Sequence, residues 1–336
     1  KILGGALVTG RISSMFKARE LRLQRDMREH SKYSTIPKKK ILIAGSSGLI
    51  GTQLVAFLDT GGHDVWRLVR RPVKEGSKEL TWKPDEGILN SSDIEGFDVV
   101  IHLGGAGIGD KRWSKKRKAL IVDSRRESTT LLSDTMSKLE NKPEVFIVAS
   151  AIGYYGNRGD EELTEDSPPG EGFLTDTVID WESYANSARE AGIRVVNTRN
   201  GIVLSATGGA LGRMLLPWKM GGGGPLAGGK QWMSWIHIED MARVIMYCIL
   251  KDDIVGAVNA TAPNPVTNQQ FSKALGASLG RPAIFTMPAL IVKLMFGEMG
   301  DELLLQGQSV LPKKLKDSGF DFKYARIDPA LSQLLG

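Results

Sequence analysis

Three glycines at three-residue spacing, Gly45, Gly48 and Gly51, interrupt the string KKILIAGSSGLIGTQLVAF at residues 39–57. Their spacing suits phosphate recognition. The first permits a tight turn, the second lets backbone approach a pyrophosphate, and the third lets the next helix pack closely on the preceding strand. Ser47, Gly48, Leu49 and Ile50 would then present backbone N–H groups and the positive end of a helix dipole to the anion. About 20 residues later, where an NAD site places an acid for the ribose 2′-hydroxyl, this chain has Arg70 and Arg71. Two guanidinium groups suit a 2′-phosphate, so NADP(H) is expected rather than NAD; a solvated basic strand end is the alternative.

The elements needed to hold these residues are legible around them. Ile41 to Ala44 is apolar on both faces, as a central parallel strand must be. A helix begins near Leu49, and Asp64 to Val69 reads as the next strand. Leu80 to Trp82 is a short third strand and Asp98 to Leu103 a fourth, followed directly by Gly104, Gly105 and Gly107. Open α/β sheets bind ligands at the carboxyl ends of their strands, so Leu103, Gly104 and Gly105 join the expected cofactor contacts. Lys115 to Leu139 reads as a helix, Val145 to Ser150 as a strand, Phe173 to Ala191 as a helix and Val195 to Thr198 as a sixth strand. This alternation predicts an α/β fold, a Rossmann-type doubly wound parallel sheet.

Beyond Leu204 the pattern changes. Residues 205–232 are glycine-dense, with GGGGPLAGG at 221–229, and cannot form regular elements without help from packing. Trp218, Trp232 and Trp235 flank the run, which favours an ordered loop over a site, a flexible linker being the alternative. Met233 to His237 and Ala257 to Ala260 read as strands, and Ile238 to Lys251, Gln269 to Leu279, Ala289 to Phe296 and Asp301 to Leu305 as helices. The expected organisation is an N-terminal helical extension over 1–37, a dinucleotide-binding domain over 38–204 completed by 233–260, and a smaller C-terminal substrate lobe from 205–232 and 261–336.

Composition narrows the function classes. The 336 residues are 41% hydrophobic and 24% charged, as in ordinary globular proteins. No apolar run approaches the roughly 18 to 20 residues that span a bilayer, and no compact signal-peptide core is present, so a cytoplasmic protein is expected. The single cysteine, Cys248, lies in the apolar pattern ARVIMYCIL and reads as packing. The four histidines form no HExxH or Cys/His cluster, and no metal is expected. The net charge of +6 is local: residues 1–40 hold eleven Lys/Arg against Glu20, Asp26 and Glu29, leaving the remainder at −2. That balance excludes nucleic-acid binding by the body of the chain. Within the basic segment, Val8, Ile12, Met15, Phe16, Leu23 and Met27 recur near helical spacing, predicting an amphipathic helix that ends near His30. It reads as docked on a protein surface, with a membrane-surface or acidic-partner helix as the alternative. It also reads as the tail of a preceding domain, with contact to such a domain, another subunit or a partner as its expected role.

Several strings together resemble the extended, atypical branch of the short-chain dehydrogenase/reductase superfamily, specifically its SulA-type epimerase-like family. They are GSSGLIG at 45–51, LGGAGIGDKRW at 103–113, SAIGYYGNRGDEELTEDS at 150–167, DWE at 180–182, RNGIVLS at 199–205, SWIHIED at 234–240 and GQSVLPKKLKDSGF at 307–320. The resemblance spans residues 38–335 and implies an NADP-binding Rossmann core with a C-terminal substrate lobe. It also implies a Ser, Tyr and Lys that polarise and protonate a substrate oxygen. Ser150 is available for the first role, but the Tyr and Lys positions fall on Leu174 and Val178, which move no proton. The asparagine expected on the long helix aligns with Arg125, which is therefore expected against the cofactor. Tyr154 and Tyr155 are the candidates for a substitute acid, the alternative being that one packs under the loop while the other is exposed; His237, the other candidate, more naturally holds the turn into its helix. Met233 stands where sugar epimerases carry a diphosphate-binding Arg, which argues against a nucleotide-sugar substrate, while Arg199 and Lys230 remain for a smaller anion and Trp235 for the substrate face. The resulting expectation is an NADP(H)-dependent oxidoreductase for a small carbonyl or hydroxyl compound, and its rival a non-catalytic NADP-responsive regulatory or scaffold protein.

Overall fold

Alternate residues of the first strand enter different cores: Ile41 and Ile43 join one buried cluster, Leu42 and Ala44 another. A strand can fill two cores only when helices cover both faces of its sheet. The computed structural model describes residues 16, 20, 21 and 23–336, and in it that strand, β1 (Lys40–Ala44), lies inside a seven-stranded sheet. The others are β2 (Asp64–Val69), β3 (Glu79–Thr81), β4 (Val99–His102), β5 (Val145–Ala151), β6 (Arg194–Asn200) and β7 (Gly256–Ala260). The spatial order is β7-β6-β5-β4-β1-β2-β3 with every pairing parallel. The order reverses between β1 and β4, and doubly wound sheets open a ligand crevice at that reversal.

Helices α1 (Leu49–Thr60) and α5 (Ile238–Leu250) cover one face; α2 (Lys115–Ser137) and α3 (Phe173–Ser183) cover the other. The helix expected over Phe173 to Ala191 breaks at Tyr184 and resumes over Asn186–Glu190. The Glu182 carbonyl beside the break accepts from Arg189 Nη1 at 2.9 Å. A third core gathers Leu204, Trp218, Trp235, Phe271 and Leu331 from α4 (Gly209–Lys219), α6 (Asn268–Leu279), α8 (Ile327–Leu335) and adjoining segments. Packing here supplies order that propensity does not, since α4 forms inside the glycine-dense stretch with Pro217 in its last turn. Met233 to His237 is two short strands rather than one: Trp232–Met233 pairs antiparallel with Val266–Thr267, and Trp235–His237 pairs parallel with Ile202–Leu204. Helix α7 (Ala289–Phe296) and the π-turn Asp301–Leu305 follow.

Of the N-terminal extension, Val8, Ile12 and Met15 lie outside the described residues, and a helix runs over 23–31. Its docking differs from a simple amphipathic reading. Phe16, Leu23 and Met27 are exposed, whereas the polar face meets the protein. Arg25 pairs with Glu239 at 3.4 Å and Glu29 with Arg243 at 3.2 Å. His30 Nε2–H donates to the Phe57 carbonyl at 2.8 Å, satisfying a group near the end of α1. No helix among the described residues is long and apolar enough to cross a membrane, and no cluster of His, Cys, Asp and Glu among them could hold a metal.

Candidate active site

The glycine turn is built by close approach. Gly45 has φ +83°, and a Cβ on it would lie 2.8 Å from the Gly104 nitrogen and the Leu103 carbonyl carbon. A Cβ at Gly51 would collide with the Gly45 carbonyl oxygen. Gly48 differs: its φ of −73° suits any residue, it is exposed, and a Cβ there would sit 3.3 Å from the Gly45 oxygen. Gly45 and Gly51 are thus demanded by the fold, while Gly48 keeps the outer side of the turn clear. Ser47 is exposed beside it, Leu49 and Ile50 are half-buried, and α1 begins with no capping side chain. Its first N–H groups therefore remain for an anion. Leu103 and Gly104 stand against Gly45 on the facing side of the turn, and the donor set is of the kind that binds a pyrophosphate.

The two arginines after β2 are not equivalent. Arg71 donates from Nη2 to Glu79 Oε1 at 2.8 Å and from Nη1 to the Pro72 carbonyl at 3.2 Å. Arg70 is exposed and has no ion-pair partner among the described residues. Glu79, supplied by β3, escaped the sequence reading because the strand pairing that brings it beside Arg71 is not local. Arg125 lies beneath the β4 loop, donating to the Ala106 and Ile121 carbonyls at 3.1 and 2.8 Å and stacking 4.5 Å over Trp181. Burial, reinforced by Arg117, lowers its pKa to about 10. A Cβ on Gly105 would lie 3.3 Å from its Cζ, so Arg125 props the loop that frames the crevice.

Strand register places Ser150, Arg199 and Asn259 in one row across β5, β6 and β7. Ser150 Oγ donates to Glu182 Oε1 at 2.7 Å. Arg199 grips the same carboxylate through Nε at 2.8 Å and Nη2 at 2.9 Å, and its Nη1 donates to Tyr155 Oη at 3.1 Å. Tyr155 Oη–H continues to Asn259 Oδ1 at 2.6 Å. Burial opposes the Arg199 cation, but hydrogen bonds and charge from Glu182 carry its pKa above the ordinary value. In the sequence Glu182 stands out only as the last residue of the DWE string at 180–182. The available signal was Arg199 in a strand of a sheet covered on both faces, where a cation needs a buried counter-charge.

Three expectations are corrected by the positions of these side chains and of Trp235. Tyr155 is fully buried and its pKa is pushed up to about 12, chiefly by burial, so it is no proton donor to a substrate. Arg199 is 4% exposed and committed to Glu182, so it does not bind a substrate anion. Trp235 has no accessible surface; its Nε1–H donates to the Asn264 carbonyl at 3.2 Å, which makes it core rather than a substrate contact. Tyr154 remains half-buried, with the Arg199 guanidinium 3.4 Å above its ring. Lys230 is exposed, outside the buried row. His237 caps α5, accepting from the Glu239 N–H at 3.1 Å, and burial holds its pKa at about 4. Val178 is buried, and Leu174 lies so near the turn after β5 that a Cβ on Gly153 would be 3.3 Å from its own Cβ.

Comparison with known proteins identifies relatives that share this fold. The NAD dependent epimerase/dehydratase family profile matches residues 41–260, and a domain of unknown function, DUF1731, matches residues 287–334. The chain is 40% identical to epimerase family protein Mb2239 of Mycobacterium bovis over 87% of its own length and 96% of that protein. The crystal structure of human epimerase family protein SDR39U1 with NADPH superposes with a TM-score of 0.80 at 32% identity, covering 88% of this chain and 98% of the human one. A nucleoside-diphosphate sugar epimerase from Corynebacterium glutamicum gives the same TM-score at 33% identity, covering 96% of this chain and 64% of that one.

Proposed function

The chain belongs to the NAD dependent epimerase/dehydratase family, and from that membership we propose that it is an NADP(H)-dependent oxidoreductase acting on a small carbonyl or hydroxyl compound. The observation that carries the cofactor choice is the end of β2, where Arg70 is exposed and no acid takes the ribose-selecting position. The NADPH in the crystal structure of the human relative supports the same choice. The dinucleotide would lie along the crevice between Gly45–Gly51 and Leu103–Gly105, where it supplies hydride chemistry to a substrate carbon. Ser150 would mark the reacting end, its hydroxyl oriented by Glu182. The third core and the segment after it would form the substrate lobe over that end.

A second reading, a non-catalytic NADP-responsive protein, is favoured by one observation. Ser150, Tyr155 and Arg199 are all engaged with one another or with Glu182 and Asn259, and Leu174 and Val178 carry no proton. Calorimetry with NADPH and NADH, followed by NADPH oxidation against aldehydes, ketones and quinones, separates the two. Tighter NADPH binding with turnover of a carbonyl supports the oxidoreductase. Tight binding without turnover supports the second reading, and epimerisation of a UDP- or GDP-sugar overturns the substrate class.

A further inference from the structure

The family's tyrosine position holds Leu174, yet an acid reaches that position from elsewhere in the chain. Glu302, in the π-turn Asp301–Leu305, extends a carboxyl to the first turn of α3, where Oε2 accepts from the Leu174 N–H at 3.4 Å. Gly172, at the start of that helix with φ +110°, lies alongside: a Cβ there would be in ordinary contact with Glu302 Oε1 at 3.8 Å. Leu174 itself stands over Gly153, three residues beyond Ser150, so the residue whose N–H anchors the carboxyl lies beside the turn that follows β5.

The neighbouring acids are neutralised and Glu302 is not. Lys118 pairs with Glu298, and Lys293 pairs with Asp301 at 2.9 Å. Glu302 has no ion-pair partner among the described residues, and its only hydrogen bond among them comes from a backbone N–H. Burial raises its pKa; the Leu174 N–H and Lys118 oppose this, while Glu298 and Asp301 add to it. A carboxyl so placed keeps its proton to higher pH than an exposed glutamate, as a general acid requires.

We infer that Glu302 is the proton carrier of this site, standing in from the C-terminal segment for the tyrosine that Leu174 replaces. The inference rests on the oxidoreductase reading above. As a substrate carbonyl carbon is reduced, its oxygen gains an electron pair and takes the proton from the Glu302 carboxyl. The carboxylate left behind is reprotonated from solvent. For the oxidation of a hydroxyl, the carboxylate would take the proton instead.

The test combines two measurements on the full chain. In the chain without dinucleotide, labelled with 13C at glutamate Cδ, NMR follows each carboxyl through a pH titration, and Glu302→Gln identifies the Glu302 signal by its loss. The expected midpoint lies above that of the exposed glutamates; a midpoint among them overturns the proposal. In carbonyl reduction with NADPH, the wild-type rate should fall as pH rises through that same midpoint. Glu302→Gln, which keeps an acceptor for the Leu174 N–H, should bind NADPH normally, lose roughly 100-fold or more in kcat, and lose that limb of the pH profile. A helix-capping role alone predicts a wild-type rate and profile in Glu302→Gln, and that result overturns the proposal while leaving the oxidoreductase reading intact. NADPH binding with no turnover of any carbonyl by the wild type overturns both together.

Discussion

Glu182 and Arg199 form a two-point ion pair at the carboxyl ends of β5 and β6, with Nε to Oε1 at 2.8 Å and Nη2 to Oε2 at 2.9 Å. Their side chains are 14% and 5% exposed. The pair joins α3 to β6, orients the Ser150 hydroxyl and, through Tyr155, reaches Asn259 on β7. A buried pair of this kind adds little net stability over apolar packing, but breaking it leaves an uncompensated charge inside the protein.

Removal of the carboxylate should therefore cost more than removal of both charges. Glu182→Leu is expected to lower unfolding free energy by about 3 kcal/mol or more, and Arg199→Met in the same chain should restore part of it. Urea unfolding of the two variants checks this. A loss below about 1 kcal/mol in Glu182→Leu, the scale of an exposed pair, would show that the pair is solvated.

The cofactor preference should depend unequally on the two arginines. Arg70→Ala is expected to weaken NADPH binding by roughly tenfold or more, the equivalent of one charge-assisted hydrogen bond, while leaving NADH binding unchanged. Arg71→Ala should cost less, because Arg71 already donates to Glu79 and Pro72. Calorimetry with both dinucleotides measures the difference; equal losses in the two variants would put both guanidinium groups on the phosphate.

Substitution at two glycines should separate folding from binding. Gly48→Val is expected to fold and to lose the NADPH-induced thermal shift, since Gly48 has an ordinary backbone conformation and faces outward. Gly51→Val should fail to accumulate as folded protein, because its side chain would collide with the Gly45 carbonyl. A full NADPH shift in Gly48→Val would move the phosphate site elsewhere.

Acid should destabilise the fold through its histidines. Burial lowers the pKa of His30, brings His63 and His237 to about 4, and brings His102 to about 3, aided in the last by Arg125. His63, His102 and His237 stay neutral when folded where the unfolded chain takes a proton, below about pH 6.5, and His30 shifts in the same direction. Stability from these groups is thus fully present above that value and falls as pH drops toward 4, by up to about 1.4 kcal/mol per pH unit for each. Glu165, Asp240 and Glu302, raised by burial, act in the opposite sense. The histidine contribution is isolated by His102→Asn: between pH 6.5 and 5, its unfolding free energy should depend less steeply on pH than that of the wild type. Identical slopes would mean that His102 titrates alike in both states.

The local sequence determined what depends on neighbours along the chain. The Asp64–Val69 strand, the start of α1 at Leu49 and the Ala289–Phe296 helix fall where side-chain periodicity and glycine placement put them. The glycine turn was legible for the same reason, since Gly45 must take positive φ within a strand-turn-helix of a dozen residues or so. Tertiary structure decided which polar groups meet. Tyr155 finds Asn259 across 104 residues of sequence, and Lys118 finds Glu298 across 180. The N-terminal helix docks by Arg25 and Glu29 because the facing surface presents Glu239 and Arg243, while its apolar Leu23 and Met27 turn outward. Periodicity reports which face of an element is apolar, but charge pairing depends on what lies opposite. Only the assembled sheet brings Ser150, Arg199 and Asn259 into one row and sets Glu302 against Leu174.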